Sequence, residues 1–533
     1  RPMTNTFTTA ISFSQRREGD PEMPRHRGAT PSTDGTQVMS EQGNKVAGVT
    51  YNKVESGYFE KRQLSRVAGV WGLWGLAVAA VISGDFSGWN FGLDVGGFGG
   101  LFIAFGILVV MYYGLIFSIG EMSAAMPHTG GAYSFGRSAM GPWGGFITGL
   151  AETITYVATT AVVVFFSAAY AEGILNDLLG ASLPGWVWWL ILYVIFIVLN
   201  ASGATIAFRF ALVVAILAIG VLVAFSVMAV FSGLFSFDNL LNIAPEAGGN
   251  AFLPFGPMGI LYAIPFAVWF FLGIEELPLA AEESHTPEKD IPRAGVWARG
   301  TLIVTGLLVL FLNTGVLGAE EVRVSGEPLL DGFRAILQND QLAAVLGLLA
   351  LIGLFASLQG IMFAYGRNMY SLSRAGYYPR FLSVTNKKKT PLVALIAGAI
   401  IGFAALVVID VLTAIGSEGA GAVAGAVVLN IAVWGAMLAY GMQAASFLIL
   451  RKKFPNLNRP YVSPWGVFGG WAALVISAFT FVGFLINPAF LPAIIGIAVV
   501  YLVMLVIFAI WGRHQLVLSP EEEYALAARK ESS

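Results

Sequence analysis

The sequence predicts an all-α membrane protein with about twelve transmembrane helices. Of its 533 residues, 56% are hydrophobic and only 12% are charged, whereas a soluble protein carries about 25% charged residues. Four stretches contain no Asp, Glu, Lys or Arg, namely residues 178–208, 210–237, 419–450 and 460–512. Each exceeds the roughly 20 residues that cross a bilayer. The composition therefore excludes a soluble enzyme, a nucleic-acid-binding protein and a disulfide-stapled secreted domain.

Twelve apolar spans follow one another along the chain. The last uncharged stretch would be about 80 Å long as a single helix, so we expect it to reverse direction at Asn487-Pro488. The predicted spans are residues 67–92, 98–126, 141–175, 186–203, 208–235, 257–283, 297–319, 341–373, 391–412, 422–450, 465–486 and 489–512. Helices 1–5 thus occupy about 67–235, helices 6–10 about 257–450 and helices 11–12 about 465–512.

The basic residues predict how these spans are oriented. Lys and Arg concentrate in alternate connecting segments, and the other set of segments holds only Arg323 and Arg334. Because basic loops stay in the cytoplasm, we expect both termini to be cytoplasmic and the protein to lie in the plasma membrane, which is the inner membrane in a bacterium. Residues 61–513 are then the transmembrane domain.

Three segments outside the spans are assigned from their composition. Residues 1–60 are predicted to be a disordered cytoplasmic tail, and the first 50 lack the apolar core of a secretory signal. Residues 514–533 are predicted to be a second cytoplasmic tail, a charged and solvated helix. Residues 321–340 place apolar side chains at helical spacing, so we expect a short amphipathic helix lying flat on the outer membrane surface.

Two spans contain polar interruptions near the middle of the membrane. The first contains Ile82-Ser83-Gly84-Asp85-Phe86-Ser87-Gly88-Trp89, and the sixth contains Trp269-Phe270-Phe271-Leu272-Gly273-Ile274-Glu275-Glu276. Glycine permits the backbone conformations that open a helix, and freed backbone groups at this depth must line a cavity. The interruptions are five spans apart, which predicts a 5+5 inverted repeat with helices 1 and 6 broken at the substrate site, plus two C-terminal helices.

These residues resemble motifs of the amino acid–polyamine–organocation (APC) superfamily, over nearly all of residues 60–512. Ile82-Ser83-Gly84 is similar to the superfamily's Gly-rich turn, and Pro127-His128-Thr129-Gly130-Gly131-Ala132-Tyr133 is similar to its P-x-x-G-G-x-Y signature. The segment from Thr286 to Arg293 is similar to its N-P-x-x-x-I/V-P loop. The resemblance implies a LeuT-like fold and a secondary transporter that works by alternating access.

Within the superfamily, three stretches most resemble the ethanolamine permease family. They are Glu60 to Leu64, Ile82 to Gly92 and Ile274 to Glu283. Relatives that carry amino acids hold the substrate carboxylate on bare backbone N–H groups of the broken first helix. Asp85 places a negative charge there, which repels a carboxylate and attracts an ammonium. The resemblance therefore implies import of ethanolamine, driven by the membrane potential with proton coupling as an option.

The candidate substrate-binding residues lie at the two breaks. They are Ser83, Gly84, Asp85, Phe86, Ser87, Trp269, Phe271, Gly273 and Glu275. The aromatic rings among them suit a cation. Three carboxylates, Glu275, Glu276 and Glu152, are candidates for proton coupling or gating.

Each assignment has a structural alternative. Asp85 is also suited to cap the half-helix after it, and Trp269 to pack or to anchor at the membrane interface. Glu275 is equally suited to titrate or to anchor freed N–H groups. Glu121 and Glu152 are expected to be hydrogen-bonded structural groups. The sequence leaves open which way Ser357 and Gln359 face. A lysine that some proton-coupled relatives carry in the fifth span is absent from residues 210–237.

Other functions are also compatible with this sequence. An amino acid or polyamine permease or exchanger has the same fold, and a channel or substrate-sensing receptor is the alternative of another class. No enzyme motif is present, so no catalytic residue is assigned. The chain has no cysteine and only four scattered histidines, so no cofactor or metal is expected. The expected partners are a small-molecule substrate and membrane lipids, without nucleic acid.

Overall fold

The molecule is built almost entirely of helices. The computed structural model describes residues 45–532, apart from positions 47, 56, 417–419 and 487–490. The helices are α1 (Val70–Ile82), α2 (Phe91–Ala125), α3 (Gly131–Met140), α4 (Pro142–Leu179), α5 (Gly185–Ala201), α6 (Ala204–Phe231), α7 (Phe237–Leu240), α8 (Met258–Val268), α9 (Pro287–Leu317), α10 (Ala319–Val322), α11 (Pro328–Leu337), α12 (Asp340–Arg374), α13 (Leu392–Gly416), α14 (Ala420–Lys453), α15 (Gly466–Ile486), α16 (Leu491–Ile510) and α17 (Pro520–Ser532).

Twelve of these helices correspond to the predicted spans. Among the described residues, nine are long and apolar enough to cross a membrane, and α1, α5 and α8 are shorter apolar helices. The predicted reversal at Asn487-Pro488 lies outside the described residues, between the end of α15 and the start of α16. Predicted spans one and two are separated by a kink at Gly97, whose φ of 63° and close contact with Pro254 require glycine.

The outer surface of the bundle is apolar. On α6, Val213, Ile216, Val223, Val227 and Val230 are each about half exposed and lie on one helical face. An apolar stripe of this length on a water-soluble surface would be costly, and in a bilayer it contacts lipid tails. The chain is therefore a multi-pass membrane protein.

Helix α1 lies at the centre of the bundle, in contact with α6, α9 and α12. Its residues from Leu76 to Ile82 are all at most 2% exposed. Close packing depends on small residues: a Cβ at Gly360 of α12 would lie 2.6 Å from the Cα of Ala80. The C-terminal end of α1 is thereby fixed deep inside the protein, on the face of α12.

The N-terminal segment is partly ordered, unlike the tail predicted for residues 1–60. Strands β1 (Lys45–Val46) and β2 (Val49–Asn52) pair antiparallel, and β2 pairs in parallel with β3 (Leu516–Val517). Val49 and Tyr51 are buried. The disorder prediction is therefore wrong for the described residues from Lys45 onward, because strand pairing with the distant C-terminal segment supplies their backbone partners. Residues 1–44 lie outside the described residues.

The C-terminal segment is docked and not solvated as predicted for residues 514–533. Glu521 and Glu522 at the start of α17 are fully buried. The Glu522 carboxylate accepts hydrogen bonds from four side chains. The donors are Tyr51 Oη (2.5 Å), Arg137 Nε (2.6 Å), Tyr133 Oη (2.8 Å) and Tyr377 Oη (3.0 Å). We call β2, β3 and the first turn of α17 the terminal cap.

Glu521 strengthens the same cap. Its carboxylate bonds to Arg374 at the end of α12 and accepts a hydrogen bond from Ser371 Oγ at 3.2 Å. Burial acts to raise the pKa of Glu521, but the Arg374 guanidinium lowers it overall. The terminal cap therefore joins both ends of the chain to α3 and to the end of α12.

The predicted amphipathic helix within 321–340 is present as α11. Its apolar side chains Leu329, Leu330 and Phe333 are at most 1% exposed, and the Phe333 ring lies 5.3 Å from that of Phe225 in α6. The prediction that this helix lies flat on the membrane is wrong, because its apolar face is buried against the protein.

Candidate functional site

The first helix is broken as predicted. Helix α1 ends at Ile82, a 3₁₀ turn follows over Ser83–Asp85, and turns lead to α2. The freed N–H of Ser83 donates to Ser357 Oγ at 2.9 Å, and Ser357 Oγ donates to the Ala79 carbonyl at 2.7 Å. Ser357 therefore faces the break, whereas Gln359 faces α5 and pairs with Asn200 through two hydrogen bonds of 3.0 and 3.1 Å.

The sixth span is broken in the same way. Helix α8 ends at Val268, and a 3₁₀ segment begins at Ile274 after Gly273, which has a φ of 115°. The Glu275 carboxylate accepts the Gly273 N–H at 3.0 Å. The anchoring role foreseen for Glu275 is thus present in the structure.

The two breaks touch each other. A Cβ on Gly84 would overlap the carbonyl oxygen of Trp269, and a Cβ on Gly88 would lie 2.8 Å from Trp269 Nε1. The Trp269 indole N–H donates to the Ser87 carbonyl at 2.9 Å. Trp269 therefore bridges the breaks and is neither an interfacial anchor nor simple packing.

Asp85 is fully buried inside the first break. Neither of its carboxylate oxygens has a hydrogen-bond partner among the described residues. It therefore does not cap the following half-helix, the structural alternative considered for it. Its Oδ1 lies 3.4 Å from the point where a Cβ on Gly306 of α9 would stand, so the carboxylate points toward that helix.

Two other candidates at the first break have different neighbours. The Phe86 ring packs directly against Gly353 of α12, and a Cβ on Gly353 would collide with the ring. The Tyr170 hydroxyl donates a hydrogen bond to the Phe86 carbonyl at 2.6 Å. The Ser87 hydroxyl donates to the carbonyl of Gly326 at 3.3 Å. These contacts hold the break in place, and they point the Ser87 side chain toward the connection between α10 and α11.

Phe271 joins the two breaks to α2 through aromatic contacts. Its ring lies 5.0 Å from Phe105 and 5.2 Å from Tyr112. Phe105 in turn lies 5.2 Å from Phe270 in an edge-to-face arrangement, a geometry that aromatic rings favour. The aromatic rings of the second break and of α2 therefore form one continuous packed layer.

The remaining acidic candidates differ in how they are held. Glu152 accepts hydrogen bonds from Asn368 Nδ2 at 3.1 Å and Tyr156 Oη at 3.3 Å. Glu276 is buried, and within the described part of the chain neither of its carboxylate oxygens has a hydrogen-bond partner. Glu121 lies elsewhere, in ion pairs with Arg451 at 2.6 Å and Arg459 at 3.0 Å.

The segment around Gly131 and the residues just before α1 contact the 3₁₀ segment that follows the second break. Gly131, with a φ of 49°, packs against Leu279 of the 3₁₀ segment, and the backbone N–H groups of Val67 and Ala68 donate to the Glu283 carbonyl at 2.8 and 2.9 Å. The Glu283 carboxylate is paired with Arg367 at 3.0 Å. Both half-helices are therefore fixed at the end of the bundle that carries the terminal cap.

Sequence reasoning missed the part of the site that other helices supply. Gly306 and Thr305 of α9 lie beside the Asp85 carboxylate, together with Phe105 of α2 and Phe270. Glycine, threonine and phenylalanine are ordinary residues in membrane helices, so no sequence pattern distinguishes these four. Their role becomes visible only from their positions around Asp85.

Comparison with known proteins gives the family. The amino acid permease family model matches residues 70–519. The chain belongs to the amino acid permease family. An uncharacterised transporter from Rhizobium meliloti is 25% identical over 76% of this chain and 84% of its own length. A γ-aminobutyric acid permease from Escherichia coli is 27% identical over 57% of this chain and 64% of its own.

A solved structure agrees with this family on the fold. A mutant of a manganese transporter from Eremococcus coleocola has a TM-score of 0.55 over 89% of this permease and 99% of its own chain, at 13% identity. At this identity the likeness concerns the fold alone. The predicted LeuT-like architecture with broken helices 1 and 6 is confirmed, and so is the prediction that the chain is a transporter and not an enzyme.

Proposed function

We propose that this permease imports a small organic ammonium, of which ethanolamine is the expected example, by alternating access. The observation that carries the proposal is the buried Asp85 carboxylate, which has no hydrogen-bond partner among the described residues. A buried charge without a partner costs several kcal/mol. A cationic substrate would supply the missing partner at the point where the two breaks meet.

The charge of the site decides between substrate classes. A free amino acid brings a carboxylate, and Asp85 would repel it from the broken first helix. Ethanolamine brings an ammonium and a hydroxyl, so its charge complements Asp85. Trp269 and Phe271 lie beside the break, where aromatic rings favour a cation by about 0.5–2 kcal/mol each.

Three acidic residues are proposed for proton coupling. Glu276 is the strongest of them because it is buried and, in the described residues, unbonded. Glu275 and Glu152 already accept hydrogen bonds, so we assign them to anchoring first and to coupling second. Coupling through Glu276 remains optional, since a cation is drawn inward by the membrane potential alone.

We also propose that both termini face the cytoplasm and that the protein lies in the plasma membrane. The concentration of Lys and Arg in alternate connections supports the orientation. The terminal cap would then lie on the cytoplasmic side.

A second candidate substrate is an amino acid whose charges are far apart. Arg299 of α9 is fully buried about 10 Å before Gly306 along the helix. Its Nη2 donates to the Val109 carbonyl and its guanidinium lies over the Tyr113 ring, while its Nε and Nη1 have no hydrogen-bond partner in the described residues. It could face a substrate carboxylate, and a γ-aminobutyric acid permease is among the relatives. Displacement of bound ethanolamine by γ-aminobutyric acid, and not by polyamines, would favour this candidate.

The substitution Asp85→Asn tests the main proposal. It removes the charge and keeps the side-chain size, so we expect uptake of labelled ethanolamine into proteoliposomes to fall roughly 30-fold or more. Asp94→Asn is the matched control, because Asp94 is half exposed and pairs with Arg323 on the surface. Unchanged uptake by the Asp85 variant would refute the proposal. Binding without saturable flux in the wild type would favour a receptor, and flux without saturation a channel.

A further inference from the structure

The contact between Asp85 and α9 restricts the proposed site further. We infer that Thr305 and Gly306 complete the ammonium site, and that they select a primary ammonium group over N-methylated ones. This inference rests on the proposed function, because it assumes that Asp85 binds the cation.

Three groups converge on the backbone of α9 at Gly306. A Cβ built there would lie 3.0 Å from Phe270 Cδ1, 3.1 Å from Phe105 Cε2 and 3.4 Å from Asp85 Oδ1. The carboxylate and both rings therefore surround one point, and even a single methyl group is crowded at that point. Only glycine lets the carboxylate and the rings approach the helix so closely.

Thr305 adds a hydrogen-bond acceptor beside the carboxylate. Its hydroxyl lies close to the Asp85 carboxylate but outside hydrogen-bond geometry with it, and it donates its proton to the carbonyls of Thr301 and Leu302, at 3.2 and 3.3 Å. Since a hydroxyl has one proton and two lone pairs, the Thr305 oxygen keeps its capacity to accept. It is thus suited to receive an N–H from a cation held by Asp85.

A primary ammonium fits this arrangement in its bonding. Its three N–H groups have the Asp85 oxygens and the Thr305 oxygen as acceptors. Each N-methyl group removes one donor and adds a carbon where Phe105, Phe270 and Gly306 leave little room. A quaternary ammonium has no N–H and requires a wider aromatic cage. The structure therefore favours ethanolamine over its methylated derivatives.

A series of substrates measures this selectivity directly. Purified protein is titrated with ethanolamine, N-methylethanolamine, N,N-dimethylethanolamine and choline, and the thermal shift gives the relative affinities. We expect affinity to fall with each methyl group, and choline to bind at least about 100-fold more weakly, which corresponds to the loss of charge-assisted hydrogen bonds. Choline binding as tightly as ethanolamine would overturn the inference.

Substitutions then assign the selectivity to α9. Thr305→Val removes the acceptor and should weaken ethanolamine roughly tenfold or more, with a smaller effect on dimethylethanolamine, while Thr305→Ser restores most of the affinity. Gly306→Ala should weaken every amine. Thr301→Val is the matched control, since the Thr301 hydroxyl donates to the Trp297 carbonyl one turn away.

The outcomes separate this inference from the proposed function. If Asp85→Asn abolishes binding and Thr305→Val leaves the whole affinity series unchanged, the role of α9 is refuted and the ammonium site stands. If Asp85→Asn binds ethanolamine like the wild type, both are refuted. The inference is supported if affinity falls with each methyl group in Asp94→Asn and Thr301→Val, as in the wild type, and no longer does so in Thr305→Val.

Discussion

Four acidic side chains among the site candidates are buried, and their bonding separates their roles. Glu275 accepts a backbone N–H and Glu152 accepts two side-chain donors. Asp85 and Glu276, in contrast, have no hydrogen-bond partner in the described part of the chain. Buried carboxylates in a membrane domain are kept where they bind a cation or a proton. Asp85 is therefore the residue at which function, and not stability, is expected to change on substitution, and Glu276 is the residue at which proton coupling is tested.

Gly84 is the residue at which the two breaks approach most closely. A Cβ there would overlap the Trp269 carbonyl, so Gly84→Ala must push the breaks apart. We expect a destabilisation of about 1–3 kcal/mol, the usual result of overpacking, together with loss of transport. Thermal unfolding and ethanolamine uptake measure the two effects.

Gly106→Ala serves as the control for Gly84. Gly106 lies within α2 on the exposed face, and a Cβ there would meet nothing within 4 Å. Alanine is favoured over glycine in a helix by up to about 1 kcal/mol, so this variant should be as stable as the wild type or more so. Equal stability of both variants would contradict the close contact of the breaks.

One face of α12 holds the first break. Gly353, Ser357 and Gly360 are spaced four and three residues apart, so they share a face. They contact the Phe86 ring, the Ser83 N–H and the Ala80 backbone respectively. The two glycines leave room for the Phe86 ring and the Ala80 backbone, and Ser357 accepts the freed N–H of Ser83. These contacts fix the unwound residues against α12. The site thus depends on an element from the second repeat.

The terminal cap is an element whose stability depends on one buried carboxylate. Glu522→Gln removes the charge that pairs with Arg137. Breaking a buried ion pair typically costs about 3–5 kcal/mol, because the remaining charge stays buried without compensation. We expect the C-terminal segment after Leu516 to detach and to become sensitive to limited proteolysis.

Glu523→Gln is the comparison for this experiment. Glu523 is adjacent in α17 but exposed, so its substitution should leave the protease resistance of the terminal cap unchanged. Identical resistance of the Glu522 and Glu523 variants would mean that the ion pair with Arg137 does not hold the cap.

At the scale of the whole molecule, the sequence predicted local features better than distant contacts. The breaks were predictable because Asp85 and Glu275 stand beside glycines in apolar spans. The terminal cap was not, because Tyr51 and Glu522 are 471 residues apart and both segments are polar in composition. Arg137 and Arg299 are buried although they are basic, so charge counts alone overstate the solvated loops.

The driving force is a property of the whole molecule, because it depends on the net charge that crosses the membrane. Moving one positive charge inward through 100 mV yields about 2.3 kcal/mol, which corresponds to a roughly 50-fold accumulation. We therefore expect wild-type proteoliposomes at −100 mV inside, without a pH gradient, to concentrate labelled ethanolamine to about this ratio. Glu276→Gln should leave that ratio unchanged, since no proton is required. If accumulation needs a pH gradient and disappears in Glu276→Gln, protons drive uptake through Glu276. Uptake driven by the potential alone does not depend on the protonation of a second carboxylate.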